Sequence, residues 1–373
     1  MNEVVDVIVT GHLCVDLVPR TEHIPLERLV VPGRVIEIGM LDISTGGAVS
    51  NTGLALHHLG VNVRLMATIG DDLLGRVVLA FLEGHDSRLT QYISIRPGQR
   101  GSYTVVLSPQ NADRVLMHYP GPNTQFGVGN VDFSLLAGAK IFHLGYPPIL
   151  LRLMANDGEE LEEIYRRAKA TGIVTSMDTS LPDPQGPAGQ VDWHKILSRS
   201  LPYVDIFVPS IEEIIFMLRR KDYEAWYGEV LSHLTADYLA ALARELLDMG
   251  SAVVGFKLGE MGFYLESGDA SQLARLSCLP LDATAWTKAK VWSPAYQADV
   301  VGAAGAGDSA YAGLLAALLR GMNPSEAVQW ACAVGACNVE AADTTSGVRS
   351  WQETEARLKA GWPTRAERLP GMA

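Results

Sequence analysis

The residues with the clearest chemical potential lie near the C-terminus, in the segment Gly305–Asp308, which reads Gly-Ala-Gly-Asp. A long apolar stretch that favours a helix begins at Ser309. Two glycines let the backbone turn so that successive N–H groups converge, and the positive end of the helix dipole reinforces them. The pattern predicts an anion-binding loop made of Gly305, Ala306 and Gly307, for which phosphate is a common ligand.

Asp308 distinguishes this loop from an ordinary phosphate-binding turn. A carboxylate so close to a bound phosphate would repel it unless the chemistry needs a base at that position. In phosphoryl transfer the acceptor hydroxyl loses a proton as it attacks, so Asp308 is a candidate catalytic base. The alternative is a glycine turn in which Asp308 caps the helix, and the motif alone does not decide between the two.

A second glycine-containing segment, Gly46–Gly60, lies far upstream. Its apolar residues recur at helical spacing and Gly60 stands where a C-terminal cap would, so the pair Gly46 and Gly47 is predicted to open a helix. The N–H groups exposed by the paired glycines, and the amide of Asn51 in the first turns, can bind substrate hydroxyls. Taken alone, the glycines of this segment are more simply interpreted as residues that mark the start and the end of a helix.

Together, the two segments and their order resemble the PfkB, or ribokinase-like, family of carbohydrate kinases. Gly46–Gly60 and Gly70–Gly75 are similar to the first signature of that family, and Gly305–Asp308 is similar to the second. Weaker similarities run in the same order through nearly the whole chain, at Gly11, Asp16, Asp178, Pro209–Glu213 and Leu258–Gly262. The resemblance implies ATP-dependent phosphorylation of a hydroxyl on a small sugar or sugar-like polyol, with ATP and Mg²⁺ as cofactors.

The resemblance also implies a role for each matching residue. The residues that would bind the acceptor lie in or before the first signature and are Asp16, Gly46, Gly47 and Asn51. The catalytic residues would lie in the second signature, with Asp308 as the base and the N–H groups of Gly305, Ala306 and Gly307 as the anion hole. Residues in contact with the nucleotide would be Ser210, Lys257, Gly259 and Gly262, and Glu213 would order water around Mg²⁺.

Three positions depart from the family pattern. Ser210 replaces an asparagine, which puts the magnesium role of Glu213 in doubt. Lys257 replaces a threonine; it could supply a positive charge to a phosphate oxygen, or it could be a strand-end lysine that reaches solvent. Gly302 replaces an aspartate that helps many members to bind a monovalent cation, so that cation site is in doubt.

Other functions fit parts of the pattern. Within the same fold, a nucleoside or a phosphosugar could be the acceptor, and Arg114 is one basic residue near the predicted lid. A sugar- or nucleotide-binding regulator without catalysis would not need Asp308. The spacing of Gly305, Gly307 and Ala310 also fits a loose dinucleotide fingerprint, but it lies too late in the chain for a first βαβ unit, which excludes an NAD enzyme.

The elements that must position these residues alternate between apolar, β-rich runs and helical segments. Strands are predicted at Val5–Thr10, Val63–Ile69, Ala139–Leu144, Ile173–Asp178, Ile206–Pro209 and Ala252–Leu258. This alternation predicts an α/β fold with a doubly wound, mainly parallel sheet flanked by helices, as a single domain over residues 1–373. Extended segments at about 17–44 and 100–120 are predicted to add a small β-sheet, which in the resembled family forms a lid and often a homodimer interface.

Composition excludes several other classes of protein. The 373 residues are 48% hydrophobic and 19% charged, as expected for a globular enzyme with a large core. A net charge of −12 argues against a nucleic-acid partner. The chain shows no apolar run of about 18 residues and no basic segment before an apolar one at its start, so a cytoplasmic location without a membrane partner is expected. The four cysteines are expected to be reduced and mostly buried rather than metal ligands.

Overall fold

The computed structural model describes residues 4–112 and 114–372. Within these residues the strands form a nine-stranded sheet and a separate four-stranded sheet. In chain order the strands are β1 (Val7–Gly11), β2 (Cys14–Pro19), β3 (Leu41–Gly46), β4 (Val63–Gly70), β5 (Tyr92–Arg96), β6 (Tyr103–Leu107), β7 (Val115–Tyr119), β8 (Ile141–Gly145), β9 (Val174–Asp178), β10 (Ile206–Phe207), β11 (Val253–Lys257), β12 (Phe263–Ser267) and β13 (Lys290–Ser293).

The helices cover the large sheet and connect its strands. In chain order they are α1 (Leu26–Leu29), α2 (Ala48–His58), α3 (Leu73–His85), α4 (Leu151–Ala170), α5 (Trp193–Ser200), α6 (Ile211–Leu218), α7 (Arg220–Ala225), α8 (Ala236–Asp248), α9 (Ala270–Leu273), α10 (Ala283–Trp286), α11 (Ala306–Leu319), α12 (Pro324–Asn338) and α13 (Trp351–Lys359). Helix α4 is interrupted by four residues with non-helical backbone angles, Ala155, Asn156, Asp157 and Gly158.

The large sheet has the order β13-β12-β11-β10-β9-β8-β1-β4-β5. Its neighbours from β11 to β5 pair in parallel, whereas β12 and β13 add an antiparallel edge. Strands β1, β4, β8 and β9 are buried along their whole length. Continuous burial is typical of parallel strands, because the crossover helices cover both faces of the sheet.

Side-chain alternation along β1 shows that both faces are covered. Val7 and Val9 belong to the hydrophobic core that contains residues of α2, α11 and α12, whereas Ile8 belongs to a second core that contains residues of α4, α6 and α8. Since successive residues of a strand point to opposite faces, the sheet lies between two helical layers. The predicted α/β fold with a doubly wound, mainly parallel sheet is therefore confirmed, and all six predicted strands overlap observed ones.

The small sheet has the order β3-β2-β6-β7, with antiparallel pairs at each edge and a parallel pair in the centre. Its register aligns four polar residues in one row across the strands, Ser44, Asp16, Thr104 and His118. The neighbouring row, one residue along each strand, is apolar and consists of Ile43, Leu17, Val105 and Met117. Because neighbouring rows point to opposite faces, the small sheet has one polar and one apolar side.

The two glycine segments of the sequence each precede a helix. Helix α2 begins directly after Gly47, and helix α11 begins directly after Gly305, whose left-handed backbone (φ 73°) is the conformation that glycine adopts most easily. The α2 and α11 helices contact each other, which brings residues separated by more than 250 positions into one site.

Two further expectations concern cysteines and membrane spans. All four cysteines are free, with Cys14, Cys332 and Cys337 buried and Cys278 exposed, as expected from the sequence. None of the helices in the described part of the chain is long and apolar enough to span a bilayer. The expectation that the chain lacks a signal segment rests partly on residues 1–3, which lie outside the described residues.

Candidate active site

Asp308 is buried near the N-terminus of α11, with a relative exposure of 3%. Its carboxylate accepts hydrogen bonds from Asn51 Nδ2 at 2.9 Å and from the Tyr146 hydroxyl at 2.6 Å, both at Oδ2. The Thr52 hydroxyl donates to Oδ1 at 3.3 Å. All three donors lie outside α11, so Asp308 does not serve as the capping residue that the sequence left as an alternative. The carboxylate is instead aimed away from its own helix, toward α2 and the end of β8.

The loop before Asp308 is held in place by a close backbone contact. A Cβ atom added at Gly305 would lie 2.3 Å from the carbonyl oxygen of Thr344, so this position has no room for another residue. The Ala306 N–H makes a long bond to the carbonyl of Ala303, at 3.4 Å. The first four N–H groups of a helix have no i−4 partner within it, and here they belong to Gly305, Ala306, Gly307 and Asp308. The local geometry thus fits the predicted anion-binding loop.

Lys257 lies beside this loop and does not reach solvent. A Cβ atom added at Gly307 would be 3.5 Å from Lys257 Nζ, and the lysine is only 8% exposed. Its ammonium donates to Asp178 Oδ1 at 2.6 Å. Burial lowers the pKa of Lys257, but the neighbouring carboxylates of Asp178, Glu213 and Asp308 outweigh it and give a net rise. The raised pKa favours the charged form of Lys257, whose ammonium lies next to the loop.

Three buried carboxylates share this one ammonium group. Burial raises the pKa of Asp178, and the carboxylates of Glu213 and Asp308 add to the rise while Lys257 opposes it. Burial likewise raises the pKa of Glu213. Asp178 Oδ2 is buried and has no hydrogen-bond partner in the described part of the chain. A surplus of hard oxygen donors with one orphaned oxygen atom fits a divalent cation such as Mg²⁺.

Glu213 and Ser210 lie at the start of α6. The backbone N–H of Ser210 donates to Glu213 Oε2 at 2.9 Å, and the Thr179 hydroxyl donates to the same oxygen at 2.7 Å. This arrangement is half of a capping box, so part of the function of Glu213 is to stabilise the end of its helix. Ser210 also forms a β-bridge with Lys257, which connects this segment to the backbone at the end of β11.

Gly259 and Gly262 form the tight connection between β11 and β12. Both have positive φ angles, 56° and 93°, and a Cβ atom at Gly262 would lie 2.0 Å from the carbonyl oxygen of Ser293. Their turn follows Lys257, the last residue of β11, at the same edge of the sheet. The backbone of this turn is therefore suited to lie against a ligand, and the two glycines have no side chains that could contact it.

The first glycine pair adjoins the small sheet. A Cβ atom at Gly46 would lie 2.2 Å from Asp16 Oδ2, and one at Gly47 would lie 2.4 Å from His12 Nδ1. The two glycines therefore allow Asp16 and His12 to approach the start of α2. Burial raises the pKa of Asp16 to about 6. The His12 ring in turn stacks on Tyr146, with the ring centroids 6.4 Å apart.

A continuous series of contacts thus runs from the small sheet to the anion-binding loop. It connects the predicted acceptor residues with the predicted base and adds residues that the sequence analysis did not assign, namely His12, Thr52, Tyr146 and Asp178. Asp178 carried a usable signal, because it ends a buried strand. Tyr146 carried no local signal, although its left-handed backbone (φ 67°, ψ 48°) is a strained conformation of the kind that clusters at functional sites.

Comparison with known proteins identifies the family. The model of the pfkB family of carbohydrate kinases matches residues 5–351, a range that includes both glycine segments and every site residue described above. The chain belongs to the PfkB family of carbohydrate kinases. The resemblance seen in the sequence is therefore confirmed.

Individual PfkB relatives are distant. A probable chloroplastic fructokinase from Arabidopsis thaliana is 25% identical over 219 residues, which cover 58% of this chain and 53% of that protein. A 2-dehydro-3-deoxygluconokinase from Thermoproteus tenax is 22% identical over 344 residues, which cover 89% of this chain and 90% of that protein. The match to the fructokinase thus spans only about half of its length.

The solved structures show the same fold. The Arabidopsis thaliana ribokinase complexed with ribose and ATP superimposes with a TM-score of 0.72, at 16% sequence identity, over 96% of this chain and 99% of that chain. At this identity the likeness establishes the ribokinase fold alone.

Proposed function

We propose that the protein transfers the γ-phosphate of ATP to a hydroxyl of a small sugar or sugar-like polyol. The observation that carries the proposal is the position of Asp308, a buried carboxylate aimed across the start of α11 at Asn51 and Tyr146, one residue beyond an anion-binding loop. A base and an anion hole side by side are what an attacking hydroxyl and a transferring phosphoryl group require. A protein that only binds sugar or nucleotide would not need the base.

The acceptor would lie between the polar side of the small sheet and the start of α2. Asp16 offers two carboxylate oxygens, each able to accept from a hydroxyl, and the glycine pair exposes backbone N–H groups. The Nδ2 of Asn51 donates to Asp308, whereas its buried Oδ1 has no hydrogen-bond partner among the described residues. An acceptor hydroxyl that donates to this oxygen would lie directly beside the base.

In the reaction, the acceptor oxygen forms a bond to the γ-phosphorus while the bond from that phosphorus to the bridging oxygen of ADP breaks. Asp308 takes the proton of the attacking hydroxyl. Asn51, Thr52 and Tyr146 hold the carboxylate in one orientation, which reduces the reorganisation needed when the hydroxyl attacks. Such a base contributes about 10²–10⁴-fold to the rate.

The phosphate side of the site combines backbone and charged groups. The N–H groups of Gly305, Ala306 and Gly307, together with the Lys257 ammonium, would neutralise the charge on the transferring group. Asp178 and Glu213 are the residues that would hold Mg²⁺ or its bound water, and the ion when bound would neutralise nucleotide oxygens. The turn at Gly259 and Gly262 and the short side chain of Ser210 would line the nucleotide.

We further infer that the chain forms one kinase domain in which the small sheet is a lid. The apolar side of that sheet exposes about half of the Ile43 and Met117 surface, with relative exposures of 48% and 49%. A second copy of the same chain is the occupant that would bury this surface, because both copies present the same apolar row. Replacing Ile43 with lysine should convert a dimer to a monomer in sedimentation analysis, and an unchanged mass would contradict this interface.

The direct test is a transfer assay with purified protein, MgATP and a panel of hydroxyl acceptors. The panel contains simple sugars, sugar acids and polyols, together with nucleosides and sugar phosphates as the other acceptor classes. A thermal-shift screen in the presence of a non-hydrolysable ATP analogue selects acceptors that bind. ADP formation that depends on a sugar or polyol supports the proposal. If the protein phosphorylates only a nucleoside or only a sugar phosphate, that class is the acceptor instead of a sugar or polyol. Binding without phosphate transfer would favour a sugar- or nucleotide-binding regulator.

A further inference from the structure

Three metal-ligating side chains converge where the small sheet meets the large one. His12 lies between β1 and β2, Cys14 begins β2, and His118 lies on β7. One ligand atom from each of these residues lies within 4.8 Å of those of the other two. His12 and Cys14 are buried, whereas His118 is exposed and gives the cluster access to solvent.

The strand register explains why these side chains meet. Cys14 and Asp16 are two residues apart on β2 and so share its polar side, and His118 stands in the row that contains Asp16 and Thr104. The Nε2 atoms of His12 and His118 are 3.2 Å apart, and Cys14 Sγ donates to Asp16 Oδ1 at 3.4 Å.

We propose that His12, Cys14 and His118 bind a divalent transition-metal ion of the zinc type, with the Asp16 carboxylate as the fourth ligand. A thiolate with two imidazoles is a donor set that Zn²⁺ prefers over hard cations. With metal–ligand bonds of about 2.0–2.3 Å, ligand atoms of a tetrahedral ion lie about 3.3–3.8 Å apart. The two Nε2 atoms, 3.2 Å apart, already have nearly this spacing, and Asp16 Oδ1 lies 3.4 Å from Cys14 Sγ. Cys14 Sγ lies within 4.8 Å of the histidine ligand atoms and would need a side-chain rotation to reach the same ion.

One further contact supports the assignment. The other ring nitrogen of His118, Nδ1, is 3.0 Å from the Thr104 hydroxyl, which can accept its N–H and so direct the Nε2 lone pair toward the cluster. Among the residues that the structure describes, the buried Nδ1 of His12 has no hydrogen-bond partner, so the polar contact of this ring there is the one between Nε2 and His118. Binding releases one proton, that of the Cys14 thiol, to solvent.

The ion would have a regulatory effect on the site, and this part rests on the proposed function. It would occupy Asp16, the carboxylate assigned to the acceptor, and it would link His118 on the lid to His12 on the body of the protein. Zinc should therefore inhibit by competing with the acceptor, and ATP should not relieve the inhibition.

The binding test uses Co²⁺ as a spectroscopic substitute for Zn²⁺ and does not depend on activity. Chelator-treated protein is titrated with Co²⁺ while the thiolate-to-cobalt absorption band and the visible bands of tetrahedral cobalt are recorded. The variants are Cys14→Ser and His118→Gln. The matched control is Cys278→Ser, because Cys278 is exposed and lies outside the cluster. Thermal melts without metal establish that each variant is folded.

We expect one equivalent of Co²⁺ to give both sets of bands in the wild type and in Cys278→Ser. Cys14→Ser should lose the thiolate band, and His118→Gln should bind at least about 100-fold more weakly, since even second-shell changes cost about 10–100-fold. A wild type without a thiolate band, or a Cys14→Ser variant that retains it, would overturn the site. If Cys14→Ser does not fold, His118→Gln decides alone, and unchanged affinity in that variant would overturn the site.

Kinetics then separate the site from its regulatory effect. With an accepted substrate, added Zn²⁺ should raise the KM for the acceptor and leave the KM for ATP unchanged, and His118→Gln should weaken this inhibition. If Co²⁺ binds but Zn²⁺ does not inhibit, the metal site is supported and the proposed competition between zinc and the acceptor is rejected. If no acceptor is phosphorylated, the proposed function fails, while the cobalt titration still accepts or rejects the site.

Discussion

Replacing Lys257 with methionine should destabilise the protein strongly, because one ammonium group serves three buried carboxylates. The pair of Lys257 and Asp178 has side-chain exposures of 8% and 0%, so the remaining Asp178 charge would have no solvent to compensate it. Removing one partner of a buried ion pair costs about 3–5 kcal/mol. Methionine fills a similar volume, so the change removes charge rather than packing.

The expected shift in melting temperature follows from the size of the chain. The entropy of unfolding is about 2.1 cal/mol/K per residue, or roughly 0.8 kcal/mol/K for 373 residues. A loss of about 3–5 kcal/mol therefore lowers Tm by about 4–6 °C. Adding Asp178→Asn to the same chain neutralises the orphaned carboxylate and should restore most of this loss.

The assay is differential scanning calorimetry of Lys257→Met, of the double variant and of a matched control. Lys195→Met is the control, since Lys195 pairs with Asp157 at the surface with side-chain exposures of 55% and 43%. A surface pair is worth at most about 1 kcal/mol, so the control should shift Tm by about 1 °C or less. The reasoning is refuted if Lys257→Met melts with the control, or if the double variant melts no higher than the single one.

Three further outcomes are expected. Burial raises the pKa of Asp16 to about 6, so kcat/KM for the acceptor should fall about tenfold per pH unit below that value. The fall would not reflect unfolding, because protonating a carboxyl with a raised pKa favours the folded state. A flat profile of kcat/KM from about pH 5 to 7 would contradict this role of Asp16. Turnover should be nearly independent of potassium at constant ionic strength, because Gly302 offers no carboxylate to the ion, and activation of about tenfold or more would show that other residues rebuild the site. Amide exchange in β2, β3, β6 and β7 should slow when an acceptor binds, whereas unchanged exchange with bound acceptor would reject the lid.

The fold and the positions of both glycine segments could be predicted because their signals are local. Continuous apolar runs are sufficient to identify the central strands, and a glycine pair before an apolar helical run is sufficient to identify the start of α2. The same holds for α11, where Gly305 has the left-handed backbone that the turn requires. Strands β5, β12 and β13 were not predicted, because their patterns span five residues or fewer. Runs this short do not by themselves distinguish a strand from other buried segments.

The contacts within the site could not be predicted because they join residues far apart in the sequence. Tyr146 donates to Asp308 across 162 positions, and Lys257 reaches Asp178 across 79. No spacing rule connects such pairs, and a lysine at a strand end is equally compatible with solvent exposure. His12 and His118 were unassigned for the same reason, since only the register of the small sheet brings them together.

The central claim is that Asp308 is the base, and the most direct measurement is kcat of Asp308→Asn with a phosphorylated acceptor and MgATP. Asparagine preserves the shape of the side chain and removes its ability to take a proton. Asp282→Asn is the matched control, because Asp282 caps α10 at the surface and asparagine caps equally well. We expect the control to retain full turnover and Asp308→Asn to lose about 10²–10⁴-fold while it still folds and binds nucleotide. Retention of more than about half of wild-type kcat by Asp308→Asn would contradict the account.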